Sequence, residues 1–334
     1  MKNFKTILKF FVIASLLGMV SCEKILFETE PKSNPIEVYD YFIADIKKYY
    51  GLFAYKGIKI DTFGNYSRPK VTLNTSDNEL FEIMARQLAT LKDGHNTLQS
   101  PAFYASYDYS KTAPKNNFIN LGNYVNFGSP QGAIEYRNMK TAGLGYIQID
   151  NFTEKKGEYE VIDKVLETFA DKKGIIIDVR GNGGGQTDYA EIVASRFADK
   201  VYTYGKIKTK IGPNPNDFTD WVETKIAPAG KKQFTKPVII LTNRSSFSAT
   251  EVFLMIMDNF PQVTIVGDTT RGGVGGPVSH ELPNGWGYRV SSKVWARPDG
   301  TSPEGKGVFP DYPIWNKPQS DRDLIMEKAI ELLK

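Results

Sequence analysis

The chain has 334 residues, enough for one large or two small domains, and its 41% hydrophobic and 24% charged content is that of a folded protein, not a disordered or fibrous one. One cysteine and two histidines exclude a disulfide framework, a multi-cysteine zinc or iron–sulfur site and a histidine-rich metal cluster, so no cofactor is expected. A formal charge of +4 is too small to argue for a nucleic-acid partner.

Residues 1–22 read as an address. Lys2, Lys5 and Lys9 form a positive start, an apolar run from Phe10 to Val20 follows, and small Ser21 and Cys22 close it. The run is about half of the ~20 apolar residues that a bilayer-spanning helix needs, so the segment is a secretory signal excluded from the fold. Cys22 stands where a bacterial lipoprotein is cut and lipidated. The segment resembles a lipobox, with Met19 where Leu is more usual. Acyl chains on Cys22 would make a membrane surface its partner and place the protein in the cell envelope. The basic excess of the chain lies mostly in these first lysines and implies no polyanionic partner.

Next along the chain, Tyr39, Phe42, Ile43, Ile46, Tyr49, Tyr50 and Phe53 form a stripe at helical spacing, which predicts a helix within 35–55. A stronger helix is predicted over 76–93. Ser76 and Glu79 make a capping box, Leu80, Ile83, Met84, Leu88 and Leu91 line one face, and Gly94 fits the left-handed residue that ends a helix. These elements suggest a small helical domain over 23–99. Residues 100–140 carry only weak strand signals. From 143 onward the pattern becomes α/β, giving a second domain over 100–334. Strands are predicted over 145–150, 174–180, 237–242 and 263–268, with helices over 159–170, 188–199 and 249–260. A hairpin is predicted around Pro283-Asn284-Gly285, and a C-terminal helix begins with a second capping pattern, Ser320 to Asp323.

Two strand–turn–helix units carry the chemistry. In the first, Gly181-Asn182-Gly183-Gly184-Gly185 lets the backbone turn tightly and aim N–H groups at one spot, a nest for a phosphate or for the oxyanion of acyl transfer. A dinucleotide fingerprint would need glycine where Gln186 stands. In the second, Ser245, Ser246 and Ser248 lead into a helix. Serines there are most often caps, yet consecutive parallel units bring both loops to one carboxyl edge, where α/β sites form. A nucleophilic serine needs a base and an orienting acid. His95, just after the capped helix, is the better placed imidazole, and His280 in the hairpin is expected at the surface. Glu304, in a glycine-rich loop, could reach a site or remain a solvated carboxylate.

Six segments in order then outweigh these separate readings: LKDGH at 91–95, GYIQI at 145–149, DVRGNGGG at 178–185, SSFSATE at 245–251, GDTTRGG at 267–273 and EGKGVFPD at 304–311. The chain resembles the tail-specific, or C-terminal processing, serine peptidases, in the branch of the tricorn core and the interphotoreceptor retinoid-binding protein. The resemblance implies a crotonase-like ββα core, a peptide or unfolded-protein substrate, Ser248 as nucleophile, His95 as base and Glu304 as acid. It also implies an oxyanion hole from the N–H groups of Gly184 and Ala249. Two positions depart from the pattern. Gly273 stands where the processing branch has its lysine base, and Gly94 stands where tricorn-type sites have a serine. Residues 100–140 show no peptide-docking PDZ module. The alternative is an inactive peptidase-fold protein that binds peptides or small hydrophobic ligands. A working His95 predicts activity rising through about pH 6–8.

Overall fold

The chain's apolar runs become the middle of a sheet covered on both faces. The computed structural model describes residues 33–107, 120–126, 132–317 and 320–334; the signal segment and Cys22 lie outside them. A six-stranded sheet is built from β3 (Ile134–Asn138), β4 (Leu144–Ile149), β5 (Gly174–Asp178), β8 (Val238–Thr242), β9 (Val263–Gly267) and β13 (Tyr312–Pro313). Its spatial order is β13-β9-β8-β5-β4-β3, parallel except for the β3–β4 pair. Alternation along β5 shows why the run is continuously apolar. Ile175 and Ile177 face one core, while Ile176 faces another with Tyr146, Ile239, Leu241 and Val266.

The first core is closed by α3 (Lys156–Glu160), α4 (Ile162–Thr168), α5 (Thr187–Ala194) and α6 (Ala249–Met257). Every residue of α6 is buried, as befits a helix apolar nearly all round. The second core is closed by α7 (Leu324–Leu332) through Ile325, Met326, Ala329 and Ile330. The N-cap of α7 is Asp323, whose carboxylate accepts the Met326 N–H at 3.1 Å, so the cap lies three residues beyond the Ser320 expected from sequence.

The N-terminal helices are α1 (Pro35–Tyr49), capped by Asn34, and α2 (Asp77–Ala89), whose Ser76–Glu79 capping box forms as expected. Both stop earlier than their apolar stripes. The left-handed residue after α2 is Lys92, at φ 47°, and Gly94 keeps an ordinary φ. The buried faces of the two helices share one core with Leu282, Trp286, Tyr288 and Val290. Two of these four lie on β11 (Gly287–Ser291), which sits in a four-stranded sheet ordered β10-β11-β1-β2, with β1 at Thr97–Gln99, β2 at Tyr104–Ser106 and β10 at Pro277–Glu281. The hairpin predicted around Asn284 therefore works as the floor of the N-terminal helices. A third sheet, β12-β6-β7 (Lys293–Ala296, Tyr202–Thr209 and Val222–Ile226), has no counterpart in the sequence reading. Its central strand, YTYGKIKT, is half-buried and lysine-bearing and lacks a clean apolar alternation.

Among the described residues no helix is long and apolar enough to cross a membrane. At the carboxyl end of β5, Arg180 is tied to Asp178 at 2.7 Å and to Asp323 at 2.7 Å, all nearly unexposed, and Tyr146 donates to Asp178 at 3.0 Å. This buried network anchors α7 to the sheet just before the glycine turn. Arg180→Met would leave two buried carboxylates without their cation. It is expected to cost about 3–5 kcal/mol in urea unfolding. A loss under about 1 kcal/mol would mean that the network does not anchor the fold.

Candidate active site

Two loops leave adjacent parallel strands, β5 and β8, and are riveted together by Asn182. Its side chain is fully buried. The amide Nδ2 donates to the Ile149 carbonyl at 3.0 Å, Oδ1 accepts from Thr250 Oγ1 at 2.7 Å, and its backbone carbonyl accepts the Phe247 N–H at 3.0 Å. Of the three serines in the second loop, Ser246 is structural. Its hydroxyl donates to the Val179 carbonyl at 2.8 Å and accepts the Asn243 N–H at 3.2 Å. Ser245 is exposed, and its N–H is held by Asn243 at 3.0 Å.

Ser248 is different. It sits at φ 60° and ψ −122°, a conformation that a non-glycine residue rarely adopts and that costs of order 1–3 kcal/mol. It is the N-cap residue of α6, and its Oγ lies 2.9 Å from His95 Nε2. The sharp backbone is stabilised by Glu251, one turn into α6 and 0% exposed. That carboxylate accepts the Ser248 N–H at 3.1 Å, the Thr270 hydroxyl at 2.5 Å and the Gly272 and Gly273 N–H groups at 2.7 Å each. Burial pushes Glu251 up to about 7 even against these four donors.

His95 follows the turn after α2. Its ring stacks on Phe247 at 4.4 Å, and Arg271 lies over the other partner of that stack, 4.9 Å from the Phe247 centroid. The residue is 7% exposed. Burial pushes its pKa down to about 4, with Arg289, Arg271 and Lys56 adding to the effect and Asp93 opposing it. The imidazole is therefore neutral across the neutral range, well below the pH 6–8 transition expected from an exposed histidine. Among the described residues Nδ1 has no hydrogen-bond partner, and the carboxylate nearest to it is Asp93, with Oδ1 at 3.9 Å. The same Oδ1 accepts the His95 N–H at 2.9 Å, a local turn of the kind Asp favours.

Glu304 is 2% exposed and not the solvated carboxylate its loop suggested. Its oxygens are taken by the Val274 N–H at 2.9 Å and by Lys56 Nζ at 3.1 Å, and neither is bonded to His95. Burial, and then the charge of Asp93, push Glu304 up to about 8, against Lys56 and the Val274 N–H. The sequence reading passed over Asp93. Its signal was its place two residues before the histidine, within the LKDGH segment already singled out.

The oxyanion positions lie against the serine. A Cβ on Gly184 would fall 2.7 Å from Ser248 Cβ and 2.6 Å from the Phe247 carbonyl, so with φ at 94° only glycine fits. The Gly184 N–H donates to Asn182 Oδ1 at 2.9 Å. The Ala249 N–H opens α6, where a helix supplies no internal acceptor. Of the two departures noted in the sequence, Gly273 has a steric account. A Cβ at Gly273 would fall 2.3 Å from Phe247 Cε2 and 3.3 Å from His95 Cε1, so the room for a lysine is filled by the histidine and its stacking partner. A Cβ at Gly94 would meet Phe247 Cζ at 3.3 Å, a close but not prohibitive approach. His280 is not a surface residue. It is half-buried on β10, between Tyr49 at 4.3 Å and Tyr288 at 5.2 Å, with Nδ1 3.5 Å from Asp45. A cavity of about 280 Å³ opens beside Ser248 and Ala249. A larger one, about 880 Å³, lies along α2 and touches none of these groups.

Comparison with known proteins then adds a family. Residues 143–314 match the family model described as peptidase family S41. The carboxy-terminal processing protease CtpA of Bacillus subtilis is 28% identical over 187 residues, which are 53% of this chain and 38% of that protein. A Parabacteroides merdae protein solved as a candidate peptidase is 32% identical, with a TM-score of 0.81 over 90% of this chain and 97% of that one. The tricorn protease, 14% identical with a TM-score of 0.57 over 90% of this chain and 36% of its own, shares the fold. The chain spans 35% to 41% of the length of the curated relatives it matches.

Glu251→Gln replaces an acceptor of four hydrogen bonds by a group that brings an NH₂ against backbone donors. It is expected to destabilise the protein by about 2–4 kcal/mol in urea unfolding. Unchanged stability would remove Glu251 from the role of holding the Ser248 turn.

Proposed function

The chain belongs to peptidase family S41, and from that premise we propose that it is a serine endopeptidase with Ser248 as nucleophile and His95 as base. The observation that carries the reading is the 2.9 Å approach of Ser248 Oγ to His95 Nε2 on a strained turn at a helix start. With its proton on Nδ1, neutral His95 accepts the Ser248 proton at Nε2 as Oγ bonds to the peptide carbonyl carbon. The Ala249 N–H faces the resulting oxyanion, joined by Gly184 once its N–H turns from Asn182. Such donors supply several kcal/mol in acyl transfer. His95 then gives the proton to the leaving amine, and water repeats the sequence to free the acid.

Two buried carboxylates stand behind the base. Asp93 is the one within 3.9 Å of Nδ1, and a modest closure with substrate bound would make that a hydrogen bond. Glu304, raised towards a protonated state by burial and by Asp93, serves in this reading as the outer member, held by Lys56. The substrate is an extended peptide or unfolded protein segment that pairs with a strand edge near the glycine turn. The lipid anchor on Cys22 and a cell-envelope location rest on the signal segment and belong to the same proposal.

Ser248→Ala and His95→Ala are each expected to lower kcat/KM by on the order of 10⁴-fold or more, and Ser248→Ala to abolish fluorophosphonate labelling. Equal labelling of mutant and wild type would exclude Ser248 as nucleophile. Asp93→Asn should cost about a hundredfold or more in kcat, and Glu304→Gln clearly less; the reverse order would return the orienting role to Glu304. Because His95 must be neutral, its own protonation should lower kcat/KM on the acid side with a midpoint near 4, separate from any step near 7 that Glu251→Gln removes. A midpoint near 6.5 that persists in Glu251→Gln would contradict the burial of the base.

A further inference from the structure

The cavity beside Ser248 has a charge that the reaction does not use. Its described walls include Gly185, Gln186, Ser248 and Ala249 on the catalytic side and Val252, Val274, Val278 and Trp295 as apolar surface, and they contain Arg289 and Lys293 but no acidic residue. Among the described residues neither cation makes a hydrogen bond, an ion pair or a ring contact. Another lysine near the base, Lys56, points away from the cavity to Glu304, 3.1 Å from its Nζ.

Lys293 is half-buried, whereas Arg289 reaches the cavity from an exposed position on its strand. Arg289 is on β11, in register with Thr97 on β1, two residues after His95, and its charge is felt by the His95 imidazole. Lys293 opens β12 and runs along Gly276. A Cβ there would fall 2.7 Å from Lys293 Cδ, so the glycine leaves room for the lysine stem. Two like charges facing one half-enclosed, partly apolar cavity repel each other, and that repulsion is relieved when an anion enters.

We propose that this cavity is a specificity pocket for a carboxylate carried by the peptide next to the bond that Ser248 attacks. The pocket deepens the peptidase reading and rests on it. The carboxylate has two sources, a Glu or Asp side chain or the peptide's own C-terminus. The apolar wall of Val252, Val274 and Trp295 favours a carboxylate on a short apolar stem.

The test uses nonapeptides of Ala and Ser with Glu, Gln or Lys at one position, stepped across the chain, each made as the free acid and as the amide. Wild type should cleave the carboxylate-bearing peptide about tenfold better in kcat/KM than its neutral counterpart. Glu over Gln at one position marks the side-chain source, and free acid over amide marks the C-terminus. Arg289→Gln and Lys293→Gln should each bring that ratio towards one, and Arg289→Glu should shift preference to Lys. The Ser248→Ala protein, bound to the same peptides at equilibrium, reads the pocket without the chemistry. Ratios within twofold for every pair in wild type, or ratios unmoved in both neutral variants, overturn the proposal. A wild type that neither cleaves nor labels, while Ser248→Ala still binds Glu peptides about tenfold tighter than Gln, sinks the peptidase reading and keeps the pocket.

Discussion

The Glu251 carboxylate is the point from which the site is built. A charged group with no exposure survives in a protein interior only when its lone pairs are occupied, and here the donors come from two separate stretches of chain: the Ser248 turn, and the 270–273 segment through Thr270, Gly272 and Gly273. The bond to the first holds the φ of 60° at Ser248. The others hold the 270–273 segment, whose Gly272 carbonyl in turn accepts the Gly305 N–H at 2.8 Å beside Glu304. One carboxylate thus sets the Ser248 backbone and the segment that packs beside Glu304. A turn strained by a few kcal/mol is retained because four hydrogen bonds to a charged acceptor over-determine it.

The same loop decides which side chain can face Ser248. Lysine and histidine cannot both occupy the space in front of Ser248, since any side chain at 273 would meet Phe247 and the His95 ring. Phe247 is immediately before the nucleophile, so the residue that excludes a lysine also stacks on the histidine that replaces it. The glycine at 273 follows from that ring, whereas a Cβ at 94 would need the ring to give by only a few tenths of an ångström.

How much of this was legible in the sequence follows from what each feature depends on. The parallel strands were readable because a strand buried on both faces is apolar throughout, and the Ser76–Glu79 box because capping is local. The ends of α1 and α2 were not, since their stripes continue into turns that pack equally well; at α2 the left-handed turn fell on Lys92 rather than on the glycine. The β6, β7 and β12 sheet was missed because its pairing joins residues near 205, 224 and 295, and no local pattern carries such contacts. At the site, Ser248, His95 and Glu304 were named from ordered motifs. The grip of Glu251 and Asn182 on the loops, and the nearness of Asp93 to Nδ1, depend on side-chain directions that spacing does not encode. His280 was misjudged for the opposite reason: a residue in an alternating hairpin strand looks solvent-facing until the helix bearing Tyr49 covers it.

The electrostatics around His95 show what the buried acids are for. Burial alone would leave an imidazole that resists any proton, and three nearby cations push in the same direction. An imidazolium formed during acyl transfer in such a place needs a negative charge close by, and two full carboxylates side by side would be costly in a low dielectric. Burial raises Glu304 towards its neutral form, and Asp93 is the carboxylate nearer Nδ1. Lys56, shared between Glu304 and the Lys92 carbonyl at 2.9 Å, ties this pair to the turn that carries His95. His95 is thus kept neutral by burial, with Asp93 as the carboxylate nearest to its ring.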